Sequence, residues 1–223
     1  MSLEHLIQHS GVWRANQWEH INSETVSSGF KALDQLLVGG GLPLGALTEI
    51  ITSEDGSSSL QLLAPALAQL SRKKRWIAWI APPHIPYAPA LSRYGIDVSK
   101  VLLVHPEQKD TLWAMEQALR TGTCGAVLCW PGSVDERQLR RLQLAAEEGQ
   151  ALGLLFHSRA PRTQSSPAAL RLAVKTNDWG MEVNILKRRG GWPTGPIHLD
   201  WSNETFVALP LSATASAGRL YSS

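Results

Sequence analysis

Long apolar runs and a large excess of one charge are missing from this chain of 223 residues, and cysteine is scarce. Its two cysteines, Cys124 and Cys129, are too few for a disulfide framework or a four-cysteine zinc site. They lie in one apolar stretch, so we expect free buried thiols in a reducing compartment. No apolar run approaches the roughly 20 residues of a membrane span, and the N-terminus has no signal-peptide pattern. We therefore expect a cytoplasmic protein with no membrane partner and no metal.

The charges nearly cancel, since the formal net charge is +2, and this alone does not predict a nucleic-acid binder. Their distribution is uneven. Residues 1–150 hold 13 Lys and Arg against 15 Asp and Glu, whereas residues 151–223 hold 8 against 4. Direct DNA binding through the basic C-terminal third is therefore one hypothesis.

Apolar strands alternate with helices through most of the chain. Continuously apolar strands are typical of a parallel sheet that is covered on both faces. The pattern predicts strands at 47–51, 76–81, 101–104, 125–130 and 151–157, with helices at 30–37, 60–73, 88–95, 110–122 and 135–150. The fold class that follows is α/β, with a mostly parallel central sheet flanked by helices.

The pattern changes after residue 160, where helical periodicity ends. Residues 170–201 read as three short antiparallel strands joined by turns near Asp178–Gly180 and Gly190–Thr194. We divide the chain into an N-terminal arm (1–25), a main domain (26–201) and a flexible tail (202–223). The tail is small and polar apart from one apolar patch at 206–211, so we expect it to be disordered by itself.

A polar loop, Thr52–Ser59, lies between a buried strand and a helix, which is where a nucleoside triphosphatase carries its phosphate loop. Such a loop needs glycines, a lysine for the phosphates and a hydroxyl for magnesium. This loop has one glycine, no lysine and two acidic residues, Glu54 and Asp55. It therefore has the position of a phosphate loop without its chemistry.

From residue 28 to 132 the chain resembles RecA-type recombinases, and over nearly its whole length it resembles the bacterial RecA-like family ImuA. The motifs that carry the ImuA resemblance are GGGLPLGALTEI, RWIAWIAPPHIPYAPAL, ALRTGTCGAVLCWPG, RRLQLAAEEGQALGLLF and ILKRRGGWPTGP. The related SulA family resembles a shorter part, about 60–157. It lacks the GFKALD…GGGLP segment and the ILKRRGGWPTGP hairpin, so ImuA is the better match.

The RecA resemblance implies a RecA-like core with a degenerate nucleotide site. The phosphate-loop lysine corresponds to Ser58, the magnesium-binding aspartate to Trp130 and the catalytic glutamate to Pro83. Neither an indole nor a pyrrolidine ring replaces a carboxylate. We therefore predict that the chain is not an enzyme and has no cofactor.

The ImuA resemblance implies an accessory protein of SOS-induced translesion DNA synthesis. Its implied partners are an ImuB-type protein, an error-prone DnaE-type polymerase and RecA, and binding them would bring it to the nucleoid. Two alternatives remain open. One is a SulA-like division inhibitor that binds the tubulin-like protein FtsZ, and the other is a RecA-type ATPase with an unconventional loop.

Tryptophans and basic clusters supply the candidate interaction residues. Nine tryptophans stand against three phenylalanines, and exposed tryptophan is enriched at protein interfaces. Trp76 and Trp79 are three apart in one strand, so we expect one in the core and one near the surface. The candidate contacts to partners or DNA are Trp192, Lys187, Arg188, Arg189, Arg137, Arg140, Arg141 and the tail residues Phe206, Val207, Leu209 and Leu211.

Overall fold

The structure, a computed structural model, describes residues 24–52, 59–157, 166–177 and 179–200. The predicted arm, except for its last two residues, and the whole of the predicted tail beyond Trp201 lie outside these ranges. The boundaries proposed for them therefore stay predictions.

One eight-stranded sheet forms the centre of the molecule. The spatial order of its strands is β10-β9-β8-β3-β7-β6-β4-β5. The six strands from β8 to β5 run parallel to one another, and β9 and β10 continue the sheet in antiparallel fashion. The strands are β3 (Ala46–Thr52), β4 (Trp76–Ile80), β5 (Val101–Val104), β6 (Cys124–Cys129), β7 (Leu152–His157), β8 (Leu170–Asn177), β9 (Gly180–Arg188) and β10 (Thr194–Asp200).

Helices cover the parallel part of the sheet on both faces. They are α1 (Lys31–Asp34), α2 (Leu60–Arg72), α3 (Ala88–Arg93), α4 (Thr111–Arg120) and α5 (Glu136–Gly149), with 3₁₀ turns at Val98–Lys100 and Gln108–Asp110. Helix α5 begins with a capping box, in which Asp135 accepts from the Gln138 backbone and the Gln138 side chain accepts from the Asp135 backbone. This exchange satisfies two amide groups that the first turn leaves unpaired.

Two apolar clusters form the core, one on each face of the sheet. The first joins α2 to the sheet and includes Ile50 of β3, and the second joins α4 and α5 to the sheet and includes Leu47 of the same strand. Successive side chains of a strand point to opposite faces. Both faces of β3 are therefore buried, which explains the uninterrupted apolar pattern around it.

The predicted fold class is confirmed as α/β with a mostly parallel sheet and antiparallel C-terminal strands. The predicted helix at 30–37 is too long, because only Lys31–Asp34 is helical before the chain turns toward Gly39 and Gly40, both at positive φ. A two-stranded ladder of β1 (Thr25–Val26) and β2 (Leu42–Pro43) was not predicted, because strands of two residues show no periodicity. The finer assignment of a RecA-like core stays a prediction.

Candidate functional site

Aromatic side chains pack at the C-terminal ends of the parallel strands, where a nucleoside triphosphatase would hold its catalytic carboxylates. Trp130 directly follows β6, and its ring stacks on Phe156 with 4.3 Å between centroids and on Trp79 with 5.6 Å. Pro83 lies exposed in the loop after β4, and Ser58 is outside the residues that the structure describes. Within those residues no three His, Cys, Asp or Glu side chains are grouped to hold a metal ion.

A buried carboxylate, Glu49, lies on the central strand β3 of the same sheet and is 1% exposed. Its Oε1 lies 3.1 Å from Nε2 of His157, and its Oε2 accepts from Ser166 Oγ at 2.6 Å. Nε of Arg171 lies 2.9 Å from the same Oε2. These contacts join β3 to β7 and to β8, so the cluster holds three strands together.

The surroundings of Glu49 keep it ionised. Burial by itself raises the pKa of this carboxyl, but the hydrogen bonds from His157 and Ser166 and the charge of Arg171 outweigh burial and lower the pKa below its usual value. The sequence analysis did not identify this cluster. A single acid inside the apolar strand around Glu49 was the signal that could have identified the cluster.

The basic residues at the end of β9 are largely engaged within the chain. Lys187 Nζ donates to the carbonyl of Ser166, and Arg188 Nη1 donates to the carbonyl of Leu36. Burial lowers the pKa of Lys187. Arg189 is about half exposed, and its guanidinium lies 3.8 Å from Glu147. Among the three, Arg189 is the residue most available to another molecule.

The second predicted basic group lies on the exposed face of α5. Arg137, Arg140 and Arg141 are all exposed, and Arg141 forms an ion pair with the buried Glu116 of α4. Trp192, at the turn between β9 and β10, is 84% exposed. The predicted tail contacts Phe206, Val207, Leu209 and Leu211 lie outside the described residues.

The largest concentration of exposed apolar side chains lies at the β5 edge of the sheet. Among the described strands, β5 is the last one on this side of the sheet, so one row of its backbone groups has no partner strand there. Leu102 and Leu103 point to opposite faces and are 47% and 39% exposed. Val98, in the turn just before β5, is 40% exposed. An edge that is both unpaired and apolar is rare in free proteins, because it promotes association.

Trp76 extends this surface onto the neighbouring strand. It begins β4, is 39% exposed, and carries Lys100 Nζ 5.0 Å from its ring centre. A cation over an indole is attracted by the negative face of the ring. We define the edge surface as Trp76, Val98, Lys100, Leu102 and Leu103. The prediction that one of Trp76 and Trp79 lies in the core and the other near the surface is confirmed, with Trp79 in the core and Trp76 at the surface.

The sequence could not identify Leu102 and Leu103 as exposed. The apolar run 101–104 predicts a covered strand, and its exposure follows only from the spatial order of the strands, which places β5 at the edge. No helix among the described residues has both the length and the apolar character needed to cross a membrane.

Residues 45–153 match the family model described as "Cell division inhibitor SulA". Among curated proteins, the chain is 32% identical over 139 residues to the cell division inhibitor SulA of Pectobacterium carotovorum, which covers 61% of this chain and 80% of the relative. It is 36% identical over 113 residues to that of Yersinia pestis, covering 50% and 67%. The crystal structure of SulA from Pseudomonas aeruginosa aligns with a TM-score of 0.42 and 31% identity, covering 49% of this chain and 94% of that one.

These findings contradict the function expected from the ImuA resemblance. The relatives are division inhibitors, and nothing in the comparisons supports a part in translesion synthesis or the ImuB-type, DnaE-type and RecA partners. The two segments that favoured ImuA, near 29–43 and 185–196, lie outside the matched residues 45–153. In the structure the first segment forms α1 and β2, and the second forms the end of the β9–β10 hairpin, and both are additions around the matched strands.

Proposed function

The chain belongs to the SulA family of cell division inhibitors, and we propose that it stops division after DNA damage by binding the tubulin-like protein FtsZ. The relatives carry the name of division inhibitor. Inhibition by binding needs no catalytic group, so it agrees with Trp130 and Pro83 in place of carboxylates. We assign synthesis of the protein to the SOS response.

The observation that supports a binding surface is the position of the edge surface. All five of its residues lie within the segment 45–153 that matches the family. Within the described ranges, seven of the eleven exposed large hydrophobic side chains belong to residues from 76 to 113. Contiguous exposed apolar surface marks interaction sites on soluble proteins. We therefore assign the contact with FtsZ to the edge surface.

Two features of the edge surface suit a protein partner. The free backbone groups of β5 can accept an added strand, and Leu102 and Leu103 offer apolar contact on both faces of the sheet. Lys100 adds one positive charge beside Trp76. A partner with an extended apolar segment and a nearby acidic group fits this arrangement.

The proposal predicts stoichiometric inhibition of FtsZ assembly. Purified FtsZ is polymerised with GTP and sedimented in the presence of increasing amounts of the chain. We expect the pelleted fraction to fall in proportion to the inhibitor added, because each bound molecule removes one subunit from assembly. Unchanged sedimentation at a twofold molar excess of inhibitor would overturn the proposal.

Single substitutions test whether the edge surface makes the contact with FtsZ. Leu102→Asp and Leu103→Asp place a charge in the apolar contact, and we expect each to weaken inhibition at least tenfold. The matched controls are Trp192→Ala and Trp179→Ala, which remove the two most exposed of the tryptophans that the structure describes, both outside residues 45–153. Melting temperatures verify folding. Full inhibition by both aspartate variants, or its loss in the controls, would assign the contact to another surface.

A further inference from the structure

A small apolar pocket lies at the opposite end of the sheet strands from the aromatic stack, where β3 and β8 begin and β9 ends. Its cavity of about 40 Å³ exceeds the roughly 10–15 Å³ that one water needs. Two arginines, Arg188 and Arg189, lie among otherwise apolar and small neighbours. The lining includes Leu37, Val38, Pro43, Leu44, Ala46 and Leu170. Apart from Ala46, these residues are outside the segment that matches the SulA family.

The arginines of the pocket have unused capacity to donate hydrogen bonds. Nε of Arg188 is buried and has no hydrogen-bond partner in the part of the chain that the structure describes. Arg189 keeps its guanidinium about half exposed at the rim, with Glu147 no closer than 3.8 Å. A buried donor without an acceptor is costly. The pocket therefore suits an apolar side chain that is accompanied by a carboxylate.

The N-terminal arm emerges beside this pocket. The carbonyl of Glu24 accepts from the amide of Leu44, which is a lining residue, and β1 pairs antiparallel with β2 from Thr25 onward. Beyond Leu44 the chain turns at Gly45 into Ala46, which also lines the pocket. Residues 21–23 cover about 10 Å when extended. The arm thus begins within reach of the pocket.

We propose that residues 18–23 of the arm dock in this pocket, with Ile21 filling the apolar cavity and Glu19 pairing with Arg189. In an extended continuation of β1, Ile21 lies on the same side as Thr25. The hydroxyl of Thr25 donates to the carbonyl of Gly39 at 2.8 Å, next to the lining residues Leu37 and Val38. Ile21 is therefore the apolar residue that this path brings to the cavity.

Charge and position favour the arm over the tail as the occupant. Residues 1–24 carry three acidic side chains, Glu4, Glu19 and Glu24, against one basic side chain, Arg14, whereas residues 201–223 carry one of each sign. The tail also leaves from the wrong end of the hairpin. Asp200 pairs with Gly180 at the far end of β9 from Arg188, roughly 26 Å away at 3.3 Å per residue.

Hydrogen exchange of the full chain tests the docking. We expect the backbone amides of residues 18–23 to exchange at least tenfold more slowly than in the isolated peptide, and this protection to disappear in Ile21→Asp. The matched control is Ile7→Asp, an equal change in the same arm, which should leave residues 18–23 protected. Absence of protection in the unaltered chain would overturn the proposal.

A charge reversal tests the pairing of Glu19 with Arg189. Arg189→Glu should remove the protection of residues 18–23, and the double variant Glu19→Arg with Arg189→Glu should restore most of it. Failure of the second change to restore protection would overturn the pairing. Ile21→Asp alters no residue of the sheet, so it tests the docking even if Arg189→Glu does not fold. Protection that depends on protein concentration would assign the pocket to a second copy and overturn the proposal.

Discussion

Arg171 Nε lies 2.9 Å from Oε2 of Glu49, and this pair connects the central strand β3 to β8, the first strand of the C-terminal part of the sheet. Glu49 is 1% exposed, and the Arg171 side chain is 13% exposed. His157 and Ser166 complete the contacts of the carboxylate. The cluster lies in the interior between the part of the chain shared with the SulA family and the part beyond it.

Glu49→Ala should strongly destabilise the protein, because it removes the buried carboxylate that contacts His157, Ser166 and Arg171. Removing one member of a buried ion pair lowers the free energy of unfolding by about 3–5 kcal/mol. Chemical denaturation measures the loss. The control is Glu107→Ala, which removes an exposed ion pair with Lys109 and should leave the unfolding midpoint near that of the unaltered chain. Equal midpoints for the two variants would contradict the assignment.

The same carboxylate makes stability depend on pH. The pKa of Glu49 is lower in the folded state than its usual value of 4.5, so the unfolded chain binds its proton first. Its contribution to stability is present above about pH 4.5 and is lost as the pH falls through the lowered pKa of the folded state. The unfolding free energy of the unaltered chain should therefore fall more steeply below pH 4.5 than that of Glu49→Gln. Parallel pH profiles would show that the carboxylate is not responsible.

A carboxylate placed at Trp130 should not give the chain nucleotide chemistry. Trp130→Asp removes the ring that stacks on Phe156 and Trp79 and places a charge among aromatic side chains. We expect a loss of roughly 3 kcal/mol in stability. Titration with ATP and magnesium should shift the melting temperature of neither the variant nor the unaltered chain. A saturable shift of the unaltered chain at micromolar ATP would contradict this prediction.

Both cysteines should be unreactive in the folded protein. Cys124 and Cys129 are free and buried, and burial raises the pKa of the Cys129 thiol to about 12. The thiolate is the reactive form, so little of it is present at pH 8. A colorimetric thiol assay at pH 8 should detect no rapid reaction in the native state and two thiols after denaturation. Fast native reaction of either cysteine would show that its region opens.

Any DNA binding should be weak, electrostatic and centred on α5. Arg137 and Arg140 are exposed, whereas Lys187 and Arg188 already donate to carbonyl groups of the chain. Each phosphate contact releases counterions and steepens the dependence on salt. Filter binding at low salt should weaken in Arg137→Ala with Arg140→Ala and remain unchanged in Lys187→Ala. Sequence-specific retention at physiological salt would contradict the prediction.

The C-terminal tail is predicted to recognise a partner rather than to stabilise the fold. Its apolar residues are Phe206, Val207, Leu209 and Leu211, and so short a patch cannot offset the ordering cost of about 1–2 kcal/mol per residue. Deleting residues 203–223 should leave the melting temperature unchanged and reduce binding to FtsZ. A fall of several degrees with binding intact would instead identify the segment as a final strand of the sheet.

The local pattern of apolar and polar residues was sufficient to predict the strands and the longer helices. The parallel strands were predicted with ends that agree with β3, β4, β5, β6 and β7 to about one residue, because a strand buried on both faces is continuously apolar between polar loops. Gly29 shows what pattern does not reveal. It has φ +86°, and a Cβ there would lie 2.5 Å from Pro65 Cβ on α2. The sequence shows only that residue 29 is glycine, and the packing against Pro65 explains why a larger residue does not fit there.

The chain's resemblance to division inhibitors was visible in the sequence, but the choice between two related families was not resolved correctly. The choice relied more on segments outside the matched residues 45–153, such as the one that contains Lys187 and Trp192, than on the matched segment. The segment near 185–196 contributes to β9 and β10 of the central sheet, and the segment near 29–43 contributes to the separate β1–β2 ladder.

The sequence by itself determined the α/β class and the buried thiols, because each depends on residue type and local periodicity. Only the tertiary structure decided that β5 is an edge strand with Leu102 and Leu103 exposed, that Glu49 meets Arg171, and that Arg188 lies in a pocket. These features depend on which distant strands become neighbours. That order is set by the packing of the whole sheet, to which each segment contributes only its own apolar faces.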